Sequence, residues 1–189
     1  MIEIPLRILL VEDNEADVLI TRRTIQKLVR NPHIEVVEDL GSCRDMLINF
    51  IPDVVISDYN LPTCTGFDIL HLVREKDPEL PVIFLTGTIH DEELAENTVL
   101  AGASGYILKK YMNNLEEKLK PLLNQVVFRM SEKKEIRERL RQNKININQI
   151  NDYLDNLKDD NRDQKENISK IKKNIRDYNR DKDEDDRKT

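Results

Sequence analysis

The sequence predicts an α/β protein: a doubly wound, five-stranded parallel sheet, followed by a long C-terminal helix that enters a coiled coil. Three observations predict it. Short apolar runs such as Ile8-Leu9-Leu10-Val11, Val54-Val55-Ile56 and Val82-Ile83-Phe84-Leu85 read as strands buried on both faces. Stretches with helical apolar spacing separate them, which is the alternation of a parallel sheet with crossover helices. From Ile136 to Tyr178, apolar residues recur at alternating steps of four and three, uninterrupted by Pro or Gly.

In chain order, Arg7 to Val11 forms the first strand and runs into Glu12, Asp13 and Asn14. Ala16 to Val29 carries Val18, Leu19, Ile20, Ile25, Leu28 and Val29 at helical spacing, and Asn31-Pro32 stops it. His33 to Val37 is a strand, and Ser42 to Phe50 a helix that ends before Pro52. The third strand, Val54 to Asp58, stops on a carboxylate, and Asn60 and Pro62 supply the turn. Gly66 opens a helix through Phe67, Ile69, Leu70, Leu72 and Val73, which Asp77-Pro78 terminates. Pro81 to Leu85 is the fourth strand, followed by Thr86-Gly87-Thr88. Asp91 caps a helix of Glu92 to Leu100, with acidic residues near its positive end. Gly102 to Gly105 turns into a fifth strand, Tyr106 to Leu108, which ends on Lys109. A last helix begins near Asn113 or Asn114, with Leu115, Leu119, Leu122 and Leu123 on one side. Pro121 should kink it unless it lies in the first turn.

Charge divides the 189 residues into two parts. Residues 1–123 carry 12 basic and 21 acidic side chains, net −9, whereas residues 124–189 carry 18 and 15, net +3. An acidic first part without a basic stripe argues against nucleic-acid binding there. Cys43 and Cys64 have no metal-ligand spacing and no disulfide framework around them. With no signal peptide and no long apolar run, they suggest a cytoplasmic protein without a membrane partner. The organisation expected is a globular domain over 1–123, a helical coiled-coil extension over 124–180 and a charged tail over 181–189.

In open α/β sheets, ligands bind outside the carboxyl ends of the strands. Those ends deliver Glu12 and Asp13, Asp58, Thr86 and Lys109. Crowded carboxylates repel unless a cation holds them, and hard oxygen donors with room for water suit Mg²⁺. The metal and the Lys109 ammonium together could neutralise charge on a phosphoryl group in transfer. The Thr86 hydroxyl would donate to one of its oxygens, leaving Asp58 as nucleophile. Singly, each residue also has a plain structural reading: Asp58 as a turn cap, Thr86 as a strand-end hydroxyl, Lys109 as a solvated charge.

From Arg7 to Leu123 the chain resembles the receiver domains of two-component response regulators, a flavodoxin-like fold. The motifs are Leu-Leu-Val-Glu12-Asp13-Asn14, Ser57-Asp58-Tyr-Asn-Leu-Pro62, Phe-Leu-Thr86-Gly and Gly-Tyr106-Ile-Leu-Lys109. The resemblance implies that Asp58 is the phosphoacceptor, fed by a histidine kinase or phosphotransfer protein. It implies Asp13 as a direct Mg²⁺ ligand, Glu12 as a ligand through water, and Asn60 as a ligand through its backbone carbonyl. Thr86 and Lys109 would hold the phosphoryl oxygens, and Tyr106 would be the switch aromatic. Such a protein is not an enzyme beyond its own phosphorylation and dephosphorylation. Two positions depart from the family: Glu12 stands where Asp is common, and Lys110 where proline, with its cis peptide bond, is usual.

Two other readings compete. A Mg²⁺-dependent phosphatase also uses a strand-end Asp nucleophile, but wants a second Asp as general acid where this chain has Asn60. A receiver-like scaffold would leave Asp58 unmodified and act by assembly alone.

The extension argues for a partner helix. Of thirteen seam positions between Ile136 and Tyr178, ten are apolar; Asn143, Asn161 and Gln164 are the exceptions. Such a narrow stripe on a polar helix is a coiled-coil seam. With Ile136 at d, Asn161 falls at an a position, the device that fixes register in parallel two-stranded coils. Lys144, Lys158, Lys165 and Lys172 at e would oppose one another in an antiparallel pair, so a parallel homodimer through residues 136–178 is expected. A continuous helix from the domain would couple the Tyr106 face to that coil.

Overall fold

The computed structural model describes residues 1–87, 101–130, 135–151, 154, 170 and 173. The chain divides into two compact units, Met1–Arg141 and Gln142–Thr189.

The first unit is built on five parallel strands: β1 (Arg7–Val11), β2 (His33–Val37), β3 (Val54–Asp58), β4 (Val82–Thr86) and β5 (Gly105–Leu108). Their order across the sheet is β2-β1-β3-β4-β5. The apolar runs become the central strands, and every residue of β3 and β4 is buried. Alternation then assigns each strand's residues to one of two layers. Ile8, Leu10, Val54, Ile56, Ile83 and Leu85 join the core under helix α1 (Glu15–Leu28) and helix α4 (Leu115–Met130). Leu9, Val11, Val55, Val82 and Phe84 face α2 (Leu40–Asn49) and α3 (Gly66–Lys76). Two packed faces are what a doubly wound sheet requires, and they explain why these strands read as continuous rather than alternating apolar runs.

Helix starts follow their caps. The Asn14 side chain accepts from the Ala16 and Asp17 N–H groups, so α1 begins at Glu15, directly behind the acidic pair. Asp39 accepts from the Ser42 N–H and Oγ, which starts α2 at Leu40, two residues before the expected Ser42. At the start of α3 the Asp68 carboxylate accepts from both the Thr65 N–H and the Thr65 hydroxyl. Gly66 is required there: a Cβ would lie 2.5 Å from Tyr59 Cδ2 and 2.7 Å from Phe84 Cε1. A 3₁₀ segment, Lys109–Asn114, leads into α4. Pro121 lies inside α4, beyond its first turn, and the helix carries through it because Leu119, Leu123 and Val126 are buried in the core. Pro121 and Glu117 are both exposed, so water can reach the carbonyl that proline leaves without a donor.

Residues 135–141, the last of the first unit, are helical. Arg141 donates to Asp53 Oδ1 at 2.6 Å and to the Ile51 carbonyl. Arg137 donates to the Pro52 carbonyl and pairs with Asp77 at 2.7 Å. The other oxygen of Asp53 accepts from the Arg7 N–H, so a buried carboxylate is satisfied at both ends. These contacts lie where β3 begins, at the end of the strand opposite Asp58.

In the second unit, residues 142–151, Leu154, Lys170 and Lys173 are helical, and Leu154, Lys170 and Lys173 are exposed. The expected helix of Glu92 to Leu100 with its Asp91 cap, residues 131–134 of the expected continuous helix, the seam from Leu157 to Tyr178 and the tail from Asp181 lie outside the described residues. No helix among the described residues is long and apolar enough to cross a membrane.

Candidate functional site

The strand register builds the site. Val11 pairs with Ser57, which sets Glu12 beside Asp58. Asp58 pairs with Leu85, so Thr86 follows at the next step, and Thr86 pairs with Leu108, which places Lys109 beyond it. Four strands therefore present successive functional groups along one carboxyl edge, the position at which open α/β sheets bind ligands.

Lys109 holds the carboxylates together. Its Nζ donates to Asp58 Oδ2 at 2.7 Å, to Glu12 Oε2 at 2.9 Å and Oε1 at 3.1 Å, and to Asp17 Oδ2 at 2.6 Å. The Glu12 side chain is 0% exposed and that of Asp58 9%, so this ammonium balances charges that water scarcely reaches. Burial works to lower the Lys109 pKa. Hydrogen bonds to Asp17, Asp58 and Glu12, with the charge of Asp58, outweigh burial and hold it above its ordinary value. Burial pushes the Glu12 carboxyl up, against the pull of Lys109 and the Asn14 N–H. The Asn60 N–H donates to Asp58 Oδ1 at 3.1 Å, and the Ser57 hydroxyl to the Asp58 carbonyl at 2.6 Å.

Glu12, Asp13 and Asp58 each offer a carboxylate oxygen, all within 4.8 Å of one another. Glu12 and Asp58 are buried and Asp13 is exposed, so the cluster opens to solvent on one side. Hard, anionic oxygen donors with a watered face fit a divalent cation that keeps part of its hydration. Thr86 is buried at the adjacent strand end. Of the residues singled out in the sequence, Glu12, Asp13, Asp58, Thr86 and Lys109 thus gather at one edge, with Asn60 in the turn after β3. Tyr106 does not point into this cluster. It is 38% exposed and lines a groove of about 500 Å³ with Leu108, Tyr111, Lys118 and Pro121.

Sequence reading missed Asp17. It lies on a helix rather than at a strand end, yet the signal was present: α1 begins directly after the acidic pair, so Asp17 in its first turn stays at the same edge and reaches Lys109. At the departing position, Lys110 follows Lys109 through a trans bond; there is no cis peptide among the described residues.

The family model for the response regulator receiver domain matches residues 8–120. The chain belongs to the response regulator receiver family. Its receiver region is 30% identical over 106 residues to the DNA-binding transcriptional activator DevR/DosR of Mycobacterium tuberculosis, covering 54% of this chain and 47% of that protein. It is 29% identical over 127 residues to the chemotaxis protein CheY of Pseudomonas aeruginosa, covering 64% of this chain and 98% of CheY. The chain therefore spans about half the length of DevR/DosR and nearly all of CheY. Among solved structures, a response regulator receiver domain protein from Clostridium thermocellum matches with a TM-score of 0.59 at 23% identity, covering 67% of this chain and 97% of that one. The receiver domain of a Pseudomonas aeruginosa sensor histidine kinase, with a magnesium ion coordinated in its active-site cleft, matches with a TM-score of 0.53 at 23% identity, covering 64% and 99%. Both share the receiver fold with the sheet described above.

Proposed function

We propose that this receiver accepts a phosphoryl group on Asp58 from the phosphohistidine of a histidine kinase or phosphotransfer protein. An Asp58 carboxylate oxygen attacks phosphorus and the O–P bond forms. The donor's P–N bond breaks, with its electron pair returning to the imidazole. The observation that carries this reading is the Lys109 ammonium 2.7 Å from Asp58 Oδ2, beside a three-carboxylate cluster. Asp13, Asp58 and the Asn60 carbonyl would hold Mg²⁺, with Glu12 joining through water. A cation held there supplies positive charge against the phosphoryl oxygens. Lys109 would offset the same charge, and the Thr86 hydroxyl would donate to one oxygen. Asn60 has no acidic proton to give, so the chemistry stops at loading and loss of this group rather than turnover of other phosphoesters.

Output, on this reading, passes through a parallel homodimer over residues 136–178. Its support is the exposure of Ile136, Leu140, Ile147, Ile150 and Leu154, apolar side chains at seam positions. Phosphorylation is tested by weighing the chain after incubation with Mg²⁺ and acetyl phosphate. One added phosphoryl group, lost in Asp58→Asn, is expected; no gain, or the same gain in Asp58→Asn, refutes it and leaves the scaffold reading. Light scattering tests assembly separately: a monomer at micromolar concentration removes the dimer and leaves the phosphorylation reading standing.

A further inference from the structure

We propose that Asp17 is a rate-setting residue of the phosphorylation site: an internal anion that competes with the phosphoryl group for the Lys109 ammonium. This rests on the phosphoacceptor reading of Asp58. An ammonium has three protons, and here three carboxylates take them: Glu12, Asp58 and Asp17. A phosphoryl oxygen gains Lys109 only by displacing one of these.

The three carboxylates are not equivalent. Asp58 gives up its own claim, because forming its O–P bond turns the carboxylate into an acyl phosphate, one oxygen bridging to phosphorus and the other an uncharged carbonyl, while the donor's electron pair leaves with the donor. Glu12 belongs to the cluster with Asp13 and Asp58 that fits a cation, so with Mg²⁺ bound its charge would have a second counter-ion. Asp17 lies outside that cluster and keeps its full charge on Lys109, with the shortest of the four contacts, 2.6 Å. Its backbone is fixed at the start of α1 by the Asn14 cap, which places the carboxylate within reach of Lys109. Both effects of Asp17 have one sign: it weakens the field that Lys109 presents to an incoming anion, and it repels that anion directly.

The test uses the full chain at saturating Mg²⁺, with two readouts. One is the affinity for beryllofluoride, a tetrahedral mimic of the bound phosphoryl group; the other is the single-turnover rate of phosphorylation by acetyl phosphate. Asp17→Asn keeps the shape and one acceptor oxygen but removes the charge. It is expected to tighten beryllofluoride binding and speed phosphorylation by roughly tenfold, and Asp17→Glu to stay near wild type. The Asp17 side chain is 23% exposed, so the difference should shrink as salt is raised. Asp17→Ser guards against a folding defect peculiar to Asn and should change both readouts in the same direction. An Asp17→Asn protein that binds beryllofluoride no tighter than wild type, or an Asp17→Glu protein that behaves like Asp17→Asn, overturns the inference. If wild type binds no beryllofluoride and takes no phosphoryl group, the phosphoacceptor reading fails and this inference fails with it. If wild type does both and Asp17→Asn matches it, only the role of Asp17 is lost.

Discussion

Replacing Lys109 by Met keeps most of the side chain's length and apolar packing while removing the charge that Glu12, Asp17 and Asp58 share. Breaking a buried ion pair by deleting one partner costs about 3–5 kcal/mol. Two features of the site reduce that figure. Asp17 is 23% exposed and can recruit water. Glu12 can escape by taking up a proton, which from an ordinary carboxyl value of 4.5 costs about 3.4 kcal/mol near pH 7. Burial has already raised Glu12 above that value, so the true ceiling is lower. The expected loss is about 2–3 kcal/mol in urea unfolding with chelator present. The sign of its pH dependence follows: protonated Glu12 needs no counter-charge, so the penalty is largest near neutrality and shrinks as pH falls toward the carboxyl range. Saturating Mg²⁺ should recover part of the loss, because a dication substitutes for the missing ammonium. Lys120→Met, at an exposed position of α4, is the control and should stay within about 0.5 kcal/mol of wild type. A Lys109→Met protein as stable as that control, with chelator and near neutral pH, would refute the view that Lys109 holds the carboxylates together.

Three further outcomes follow from the same coordinates. Arg141→Ala takes a charge-assisted hydrogen bond from the buried Asp53 and should cost about 1.5–3 kcal/mol, whereas Arg139→Ala, at an exposed i,i+4 pair, should cost almost nothing; equal losses would contradict the docking of Arg141. Burial pushes the Cys43 thiol up to about 12 and raises half-buried Cys64 less far, so a thiol reagent should modify Cys64 in the native protein and Cys43 only on unfolding; equal rates would contradict this. Asp39 and Asp68 are held below the ordinary 3.8, Asp39 by the Ser42 N–H and Asp68 by the Thr65 N–H. Their caps therefore contribute stability above that value and lose it as pH falls through the depressed one, and carboxyl titration by NMR should find both midpoints below 3.8.

The sheet was legible because a strand buried on both faces leaves an unbroken apolar run, and β1, β3 and β4 each have one. Most strand-end chemistry was legible for a related reason: the chain leaves a parallel sheet at the same edge each time, so the residue after each run is a candidate. Asp17 escaped because it reaches that edge from the first turn of α1 rather than from a strand end. Arg141 escaped for a different reason. Its partner Asp53 is 88 residues away, and neither residue's neighbours distinguish a buried pair from the many solvated charges around them. Element ends moved where side chains decided them: Asp39 starts α2 two residues before the expected Ser42, and Pro81, having no N–H to give a ladder, stays outside β4.

The most direct test of the account asks where the phosphoryl group sits. After loading with acetyl phosphate and Mg²⁺, borohydride reduction converts an aspartyl phosphate to homoserine, and peptide mass mapping locates it. The account predicts homoserine at position 58 and at no other aspartate; homoserine at Asp13 or Asp17, or none anywhere in a loaded protein, would contradict it.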